Sequence, residues 1–455
     1  MTDSTGKSQA VDPAGVSRTR HVMGIVFVTL LLDLAGFSII FPLYPSLLEY
    51  YMETGHDSGL LTAVLAGIDW FAHVTGAGAG RQVVLFGGLL GSLYSLLQFV
   101  FTPLLGTLSD RYGRRPILLF SIGGIVVSYA LWCVSGRFEL LIVSRLIAGI
   151  MSANISTASA AIADVTTGKG RSKGMALVGA AIGLGFILGP AIGGIFSEVN
   201  LLDAHPEWAR FGVNPFTVPA AAALVLSLAN WIWVFLRFEE TLGLQQSAVP
   251  GVRRTVNPLR LFKAERYPGV TGANVAYFVY LTAFSGMEFT LAFLAAERFG
   301  YSPREISYMF LFTGITLALM QGSYVQMRSG VIGPRRMALH GLVLVIPGLL
   351  LIGFSHGWLT LYAGLLVLAL GTSQVLPCLT TLVSLYTPPF DQGRVLGVFR
   401  SLGALARAVG PILACLLYWR LGSTSVYVIA AAAVAVPLYL AYGLPVPASE
   451  PDSDA

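Results

Sequence analysis

The sequence predicts an all-α membrane protein, with twelve transmembrane helices arranged as two pseudo-symmetric six-helix bundles. Three observations predict it. Charged residues make up 11% of the chain and hydrophobic ones 55%, whereas soluble chains carry about 25% charged residues. Twelve apolar stretches are long enough for the roughly 20 residues that cross hydrocarbon. The two halves also repeat each other's landmarks at a nearly constant spacing. A soluble 455-residue chain could not bury this much apolar surface in one core.

In chain order, residues 1–21 form a polar tail with Lys7, Arg18 and Arg20. The first six spans are expected at 22–48, 83–108, 117–135, 139–161, 173–197 and 216–237, and together make an N-terminal bundle over 22–237. The first run is too long for a signal-peptide core and reads as a retained span. A linker follows at 238–269, in which NPLRLFKAERYP (257–268) alternates apolar and basic residues and suits either the membrane surface or water. The C-terminal bundle, 270–444, holds spans at 270–296, 305–327, 337–355, 358–385, 393–418 and 422–444, before a tail at 445–455.

Basic residues set the orientation. With the N-terminus inside, the inner connections carry 19 Lys and Arg and the outer ones six, so both termini are expected in the cytoplasm. The net charge of +5 follows from those loops. The basic residues form no single stripe, which argues against nucleic acid. The three cysteines, Cys133, Cys378 and Cys415, lie within apolar runs and make no disulfide framework.

The repeat is read from four pairs. Arg114 and Arg335, Gly189 and Gly410, Arg171 and Arg394, and Gln98 and Gln321 are separated by 221, 221, 223 and 223 residues. Internal repeats of this kind build membrane proteins around a midplane site.

Several stretches carry more specific signals. GTLSDRYGRRP (106–116) follows the second span: Gly106 permits close approach, Asp110 is an acceptor at a helix end, and Arg111, Arg114 and Arg115 hold the loop inside. In GLGFILGPAIGG (183–194), Gly185, Gly189 and Gly193 extend a small-residue face from Ala181 at steps of four, Gly194 adjoins it, and Pro190 removes a backbone donor. The first span reads LLDLAGFSIIFPLYPSLL (31–48), and IADVT (162–166) ends the fourth.

These stretches resemble the major facilitator superfamily, and within it the drug:proton antiporters that include the bacterial tetracycline exporters. Gly106, Asp110, Arg111, Gly113 and Arg114 match its cytoplasmic gating motif. Gly185, Gly189, Pro190, Gly193 and Gly194 match the fifth-helix antiporter motif, and Asp33 takes the acidic position of the first helix. GIDWF (67–71) and RSLGALARAVGP (400–411) resemble the vertebrate tetracycline-transporter-like members. Two features depart from the family: a long first outer loop (49–82), and a second basic loop, RSGVIGPRR (328–336), that lacks the aspartate.

Five ionisable groups fall inside spans: Asp33, Arg145, Glu288, Arg400 and Arg407. Each costs a few kcal/mol in hydrocarbon and demands a reason. Counting residues puts Asp33 about 16 Å from the inner surface and Arg145 about 9 Å from the outer one. Glu288 and Arg407 have similar depths, so one acid–base pair per half is geometrically possible. The bland alternative is static pairing that only helps the helices pack. Asn154, Gln98 and Gln321 are candidate cavity residues, although interhelical hydrogen bonding would explain the glutamines equally well; His340 is expected to be structural. No catalytic residue, enzyme motif or metal cluster is found.

The expected function is therefore export of an amphipathic organic compound, anionic or zwitterionic, by alternating access and with no cofactor beyond the proton gradient. The carboxylates would release substrate on protonation and reload it after deprotonation. Its partners would be a small-molecule substrate, protons and the lipid bilayer, with the chain acting as a monomer. Rival readings are a flippase or exporter of lipid-like molecules, an organic anion transporter, and a non-transporting receptor or scaffold. The sequon Asn154-Ile155-Ser156 falls inside a span, which points toward a bacterial inner membrane.

Overall fold

A computed structural model describes residues 13–54, 58–75, 82–166, 168–242, 266–388 and 391–446. All regular structure among them is helical. Twelve helical segments are long and apolar enough to span a bilayer: Thr19–Thr54, Val83–Tyr112, Arg114–Cys133, Phe138–Val165, Leu177–Ala204, Thr217–Arg237, Val270–Phe299, Pro303–Ile332, Pro334–Gly353, Trp358–Leu385, Arg394–Leu421 and Ser423–Tyr442. They are numbered here in that order. An even number of crossings puts both ends of the chain on one face, here the terminal face; the opposite one is the distal face.

Three spans are interrupted, and the cause is local in two of them. Span 1 is an α-helix to Ser38, a 3₁₀ turn at Phe41–Leu43, and a helix again from Tyr44 to Thr54. Pro42 and Pro45 remove backbone donors in that stretch, so the span continues past the expected end at 48. Span 4 breaks at Ser152 and Ala153, between helices Phe138–Met151 and Asn154–Val165. There the Ser152 hydroxyl donates to the Gly149 carbonyl at 2.7 Å, and the Gln98 amide donates to the Ser152 carbonyl at 3.5 Å. Such side-chain bonds compete with the helical ladder. Span 8 carries a π-helical turn at Gln321–Val325. The helix of span 5 runs unbroken through Pro190, from Gly168 to Phe196.

The small-residue face of span 5 packs on span 1. A Cβ at Gly185 would lie 2.6 Å from Leu34 Cβ and 3.1 Å from the Ala35 nitrogen. One at Gly189 would meet Ser38 and the Ala35 carbonyl, and one at Gly193 the Ile39 carbonyl. The Ser38 hydroxyl, buried in this contact, lies 2.8 Å from the Leu34 carbonyl and 3.1 Å from that of Gly185. Backbones this close gain dispersion contact and polar bonding that lipid cannot supply.

Where the two halves meet, the contacts that can be placed by residue all lie toward the distal face. Gly194 of span 5 abuts Ser307 of span 8, and Gly314 abuts Ile187. A Cβ at Gly88 of span 2 would lie 2.9 Å from the Cys415 sulfur of span 11, and one at Gly91 would lie 2.7 Å from Phe289 of span 7. Phe41 and Phe310 face each other at 6.4 Å, and Tyr44 and Phe289 at 5.0 Å. An ion pair at 2.6 Å joins Glu198 to Arg304 at the rim. The named hydrogen bonds and ion pairs of the terminal face stay within one half. The glycines of GGLLG (87–91) on span 2 are thus half of the seam. Sequence reasoning passed over them, although their small-residue spacing was there to be read.

The long connection between spans 1 and 2 contains a helix of its own, Gly59–Thr75. Ser58 caps it, accepting from the Leu61 nitrogen at 3.0 Å and donating to Glu139 at 2.5 Å. Leu61 and Ile68 are buried beneath it. Most of the amphipathic linker stretch, 257–265, lies outside the described residues.

The Gly193→Val variant is expected to lose roughly 1–3 kcal/mol of stability, because its side chain would meet a backbone carbonyl that cannot rotate away. Gly183→Ala, with nothing within 4 Å of its Cβ, should melt with the wild type. Equal melting of all three proteins in detergent would refute the close packing.

Candidate functional site

Span 1 places Asp33, Phe37 and Phe41 four residues apart, on one face of a helix enclosed by spans 4, 5 and 6. The Asp33 carboxylate accepts from the Asn154 amide at 2.8 Å. Asn154 is fully buried, and its oxygen accepts from the Ser121 hydroxyl of span 3. A chain of hydrogen bonds therefore crosses from span 3 through span 4 to the acid on span 1. Phe37 stacks on Tyr94 at 4.7 Å, and Phe37 and Phe41 both contact Phe186.

Arg145 does not complete the pair expected with Asp33. Its buried guanidinium lies 4.7 Å from the Trp132 ring centroid and 5.9 Å from that of Tyr129, and it donates to Ser144 at 3.1 Å. Nine residues, or 2.5 helical turns, separate Arg145 from Asn154, so the two point to different sides of span 4: Asn154 reaches the acid while the arginine faces the rings of span 3. Aromatic faces attract a desolvated cation and supply part of what a carboxylate would. The Arg145 Nε has no acceptor.

In the second half, Glu288 of span 7 is half-buried, and Arg400 and Arg407 of span 11 are exposed. Glu288 and Arg407 also fail to form the expected ion pair, although the Arg407 charge bears on Glu288. Both arginine charges bear on Tyr277 of span 7, which stacks on Phe399 at 3.8 Å and 19°. The two guanidiniums, seven residues apart, thus share one side of span 11. Gln98 braces the break in span 4. Gln321 opens the π turn of span 8 and is exposed, and His340 is exposed on span 9.

At the terminal face the 106–116 loop is tied to its own half. Arg114 is 6% exposed and pairs with Asp110 and, at 2.8 Å, with Asp164; it also donates to Ser109 at 2.8 Å. Gly106 accepts from Ser109 at 2.8 Å, and Arg111 is exposed beside Tyr112. Gly113 turns the chain with φ 108°, as Gly333 does at the equivalent place with φ 84°. Sequence reasoning missed two residues of this network. Asp164 lies within the quoted IADVT and needed only to be matched to a basic loop. Glu240 had no such signal: it accepts from the backbone nitrogens of Arg114, Arg115, Thr241 and Leu242 at 2.8, 3.1, 2.9 and 2.9 Å. Burial pushes its carboxyl up, but these donors outweigh it and hold the group below its ordinary value. In the second half Arg335 reaches the Ala441 and Tyr442 carbonyls that end span 12. Among the described residues, no three His, Cys, Asp or Glu side chains gather as a metal site would require.

The family model for the Major Facilitator Superfamily matches residues 26–330 and 275–455. Major facilitator superfamily domain-containing protein 10 of Bos taurus is 39% identical over 452 residues, 94% of this chain and 94% of its own length. The class E tetracycline resistance protein of Escherichia coli is 30% identical and covers 88% of each chain. The crystal structure of the human organic anion transporter MFSD10 (TETRAN) superposes with a TM-score of 0.75 at 36% identity, covering 93% of this chain and 99% of that one. These likenesses correct the expectation of a bacterial inner membrane. The more similar relatives are animal proteins, and the sequon's Asn154 is fully buried and bonded to Asp33 and Ser121.

Replacing Glu240 with Gln should lower stability at neutral pH by about 1 kcal/mol, the scale of a helix N-cap. Because the folded group titrates below its ordinary value, its contribution is present above that value and is lost as the pH falls below about 4. Melting curves at pH 7 and pH 3 check this; a difference that persists unchanged at pH 3 would contradict it.

Proposed function

The chain belongs to the major facilitator superfamily, and from that premise we propose that it is a proton-coupled exporter of amphipathic organic acids, working by alternating access with both termini in the cytoplasm. The observation that carries the substrate charge is the exposure of Arg407. It is exposed although it lies deep in span 11, about 21 Å along the helix from its distal end. A guanidinium at that depth calls for water or an anion. The halves meet at the distal face, so the space between them is reached from the terminal, cytoplasmic side, and a substrate carboxylate, phosphate or sulfonate would meet Arg407 there. The similarity to a human organic anion transporter supports the same charge.

Asp33 and Glu288 are the proton sites in this reading. The sign of coupling then depends on the substrate. A zwitterion sets its cation on a carboxylate and its anion on Arg407. Protonating that carboxylate displaces the cation and releases the molecule, which is antiport. A simple anion behaves differently. The Arg407 charge acts on Glu288, so an anion at Arg407 and a proton on Glu288 favour each other, and the two move in the same direction. That electrostatic link is the ground for a second reading, organic anion transport with the proton as co-substrate.

Both readings are tested by flux in proteoliposomes under an imposed pH gradient, using matched zwitterionic, anionic and cationic amphiphiles. Arg407→Ala should cut anion flux roughly ten-fold or more, the scale of a charged hydrogen bond. Asp33→Asn should remove gradient-driven accumulation while leaving a folded protein. Preferential transport of the cations, with Arg407→Ala without effect, would overturn the proposal. Wild-type accumulation by Asp33→Asn would limit Asp33 to a structural role.

A further inference from the structure

Span 7 begins at Val270, just after Gly269, whose φ is 87°. Span 12 ends at Tyr442 and is followed by Gly443, Leu444 and Pro445. Between these two ends, at the terminal face, lies a groove of about 460 Å³, inside the range of roughly 300–1,000 Å³ found for small-molecule sites. Its depth comes from absent side chains. Gly269 and Gly272 form one wall, and a Cβ at Gly272 would lie 3.0 Å from the Leu444 methyl opposite. Tyr439 and Tyr442 stand along the other wall, 78% and 72% exposed. The Tyr386 hydroxyl fixes the far end by donating to the Pro445 carbonyl at 2.5 Å.

The groove is apolar and its rim is positive. The Arg335 guanidinium lies 6.0 Å from the Tyr442 ring centroid, held by the carbonyls that end span 12. Arg266 is exposed three residues before Gly269. The acid nearby in the fold, Asp391, is engaged by Arg394 at 2.9 Å and by the Tyr267 hydroxyl at 3.1 Å, and the Arg266 charge also bears on it. An apolar slot at the membrane boundary, edged by tyrosines and topped by arginines, matches one kind of molecule: an acyl chain with an anionic head. We infer that this groove binds one anionic glycerophospholipid of the leaflet at the terminal face, with an acyl chain beside Gly272 and its phosphate between Arg266 and Arg335. On the orientation proposed above, that leaflet is the cytoplasmic one, where anionic lipid is concentrated. The bound lipid then wedges the start of span 7, the helix that carries Glu288, against the end of span 12.

The test titrates the purified full chain in detergent with dioleoyl phosphatidylserine or dioleoyl phosphatidylcholine, reading the melting midpoint and retained lipid by native mass spectrometry. Phosphatidylserine should raise the midpoint saturably and be retained as one molecule. Arg266→Gln should shift the half-saturating concentration by about five- to ten-fold, and Gly272→Ile, which fills the slot, should abolish retention. Melting in phosphatidylcholine shows whether Gly272→Ile is folded; the surface change at Arg266 decides the matter if it is not. Equal stabilisation by phosphatidylcholine, a phosphatidylserine effect that survives Arg266→Gln, or full reproduction of the effect by inorganic phosphate would each overturn the inference.

Discussion

A charge taken out of bulk water, inside a membrane or at its edge, has to be answered by something else, and this chain answers several of its charges in different ways. Asp33 is met by an amide, Asn154, which is in turn held by Ser121. Arg145 is met by the faces of Trp132 and Tyr129. Arg114 is met by two carboxylates and a serine. Arg407 is exposed on span 11. Partners that neutralise fully, as around Arg114, make an anchor. Neutral dipoles, as around Asp33, hold a charge without cancelling it.

The same contrast separates the two faces of the molecule. At the distal face the halves touch through glycines, aromatic rings and one rim ion pair, contacts that hold through packing and break without leaving a buried charge behind. At the terminal face each half is tied to itself. The first half uses Arg114, Asp164 and Glu240; the second uses Arg335 on the carbonyls of span 12. A bundle cross-linked internally at one face can rock as a unit about a seam that is glued only by shape, and rocking of this kind is what alternating access asks of the fold.

Much of this was legible in the sequence, and what was not has a physical reason. Hydropathy located twelve spans because lipid imposes length and apolarity directly. The glycine face of span 5 was legible because a spacing of four is one side of a helix whatever lies opposite. Depth arithmetic put Asp33 near Arg145, but depth says nothing of rotation about the helix axis, and the side of span 4 that meets Asp33 carries Asn154. The break at Ser152 is braced by two hydrogen bonds, one of them from Gln98 on another helix, which no periodicity encodes. Glu240 was illegible for the same reason: its donors are backbone nitrogens brought close by tertiary approach.

The proposal that Asp33 and Glu288 couple protons to alternating access can be tested at the distal seam, which that motion must open, and Cys415 offers a native reporter. It is buried against Gly88 in that seam, so an impermeant maleimide applied from the distal side can reach it only when the seam parts. The measurement is the alkylation rate of Cys415, with Cys133 and Cys378 replaced by Ser, as a function of distal pH and normalised to the rate of the denatured chain. The account predicts a rate that changes with pH and becomes flat in the Asp33→Asn, Glu288→Gln double variant. The same pH dependence in the double variant would contradict it.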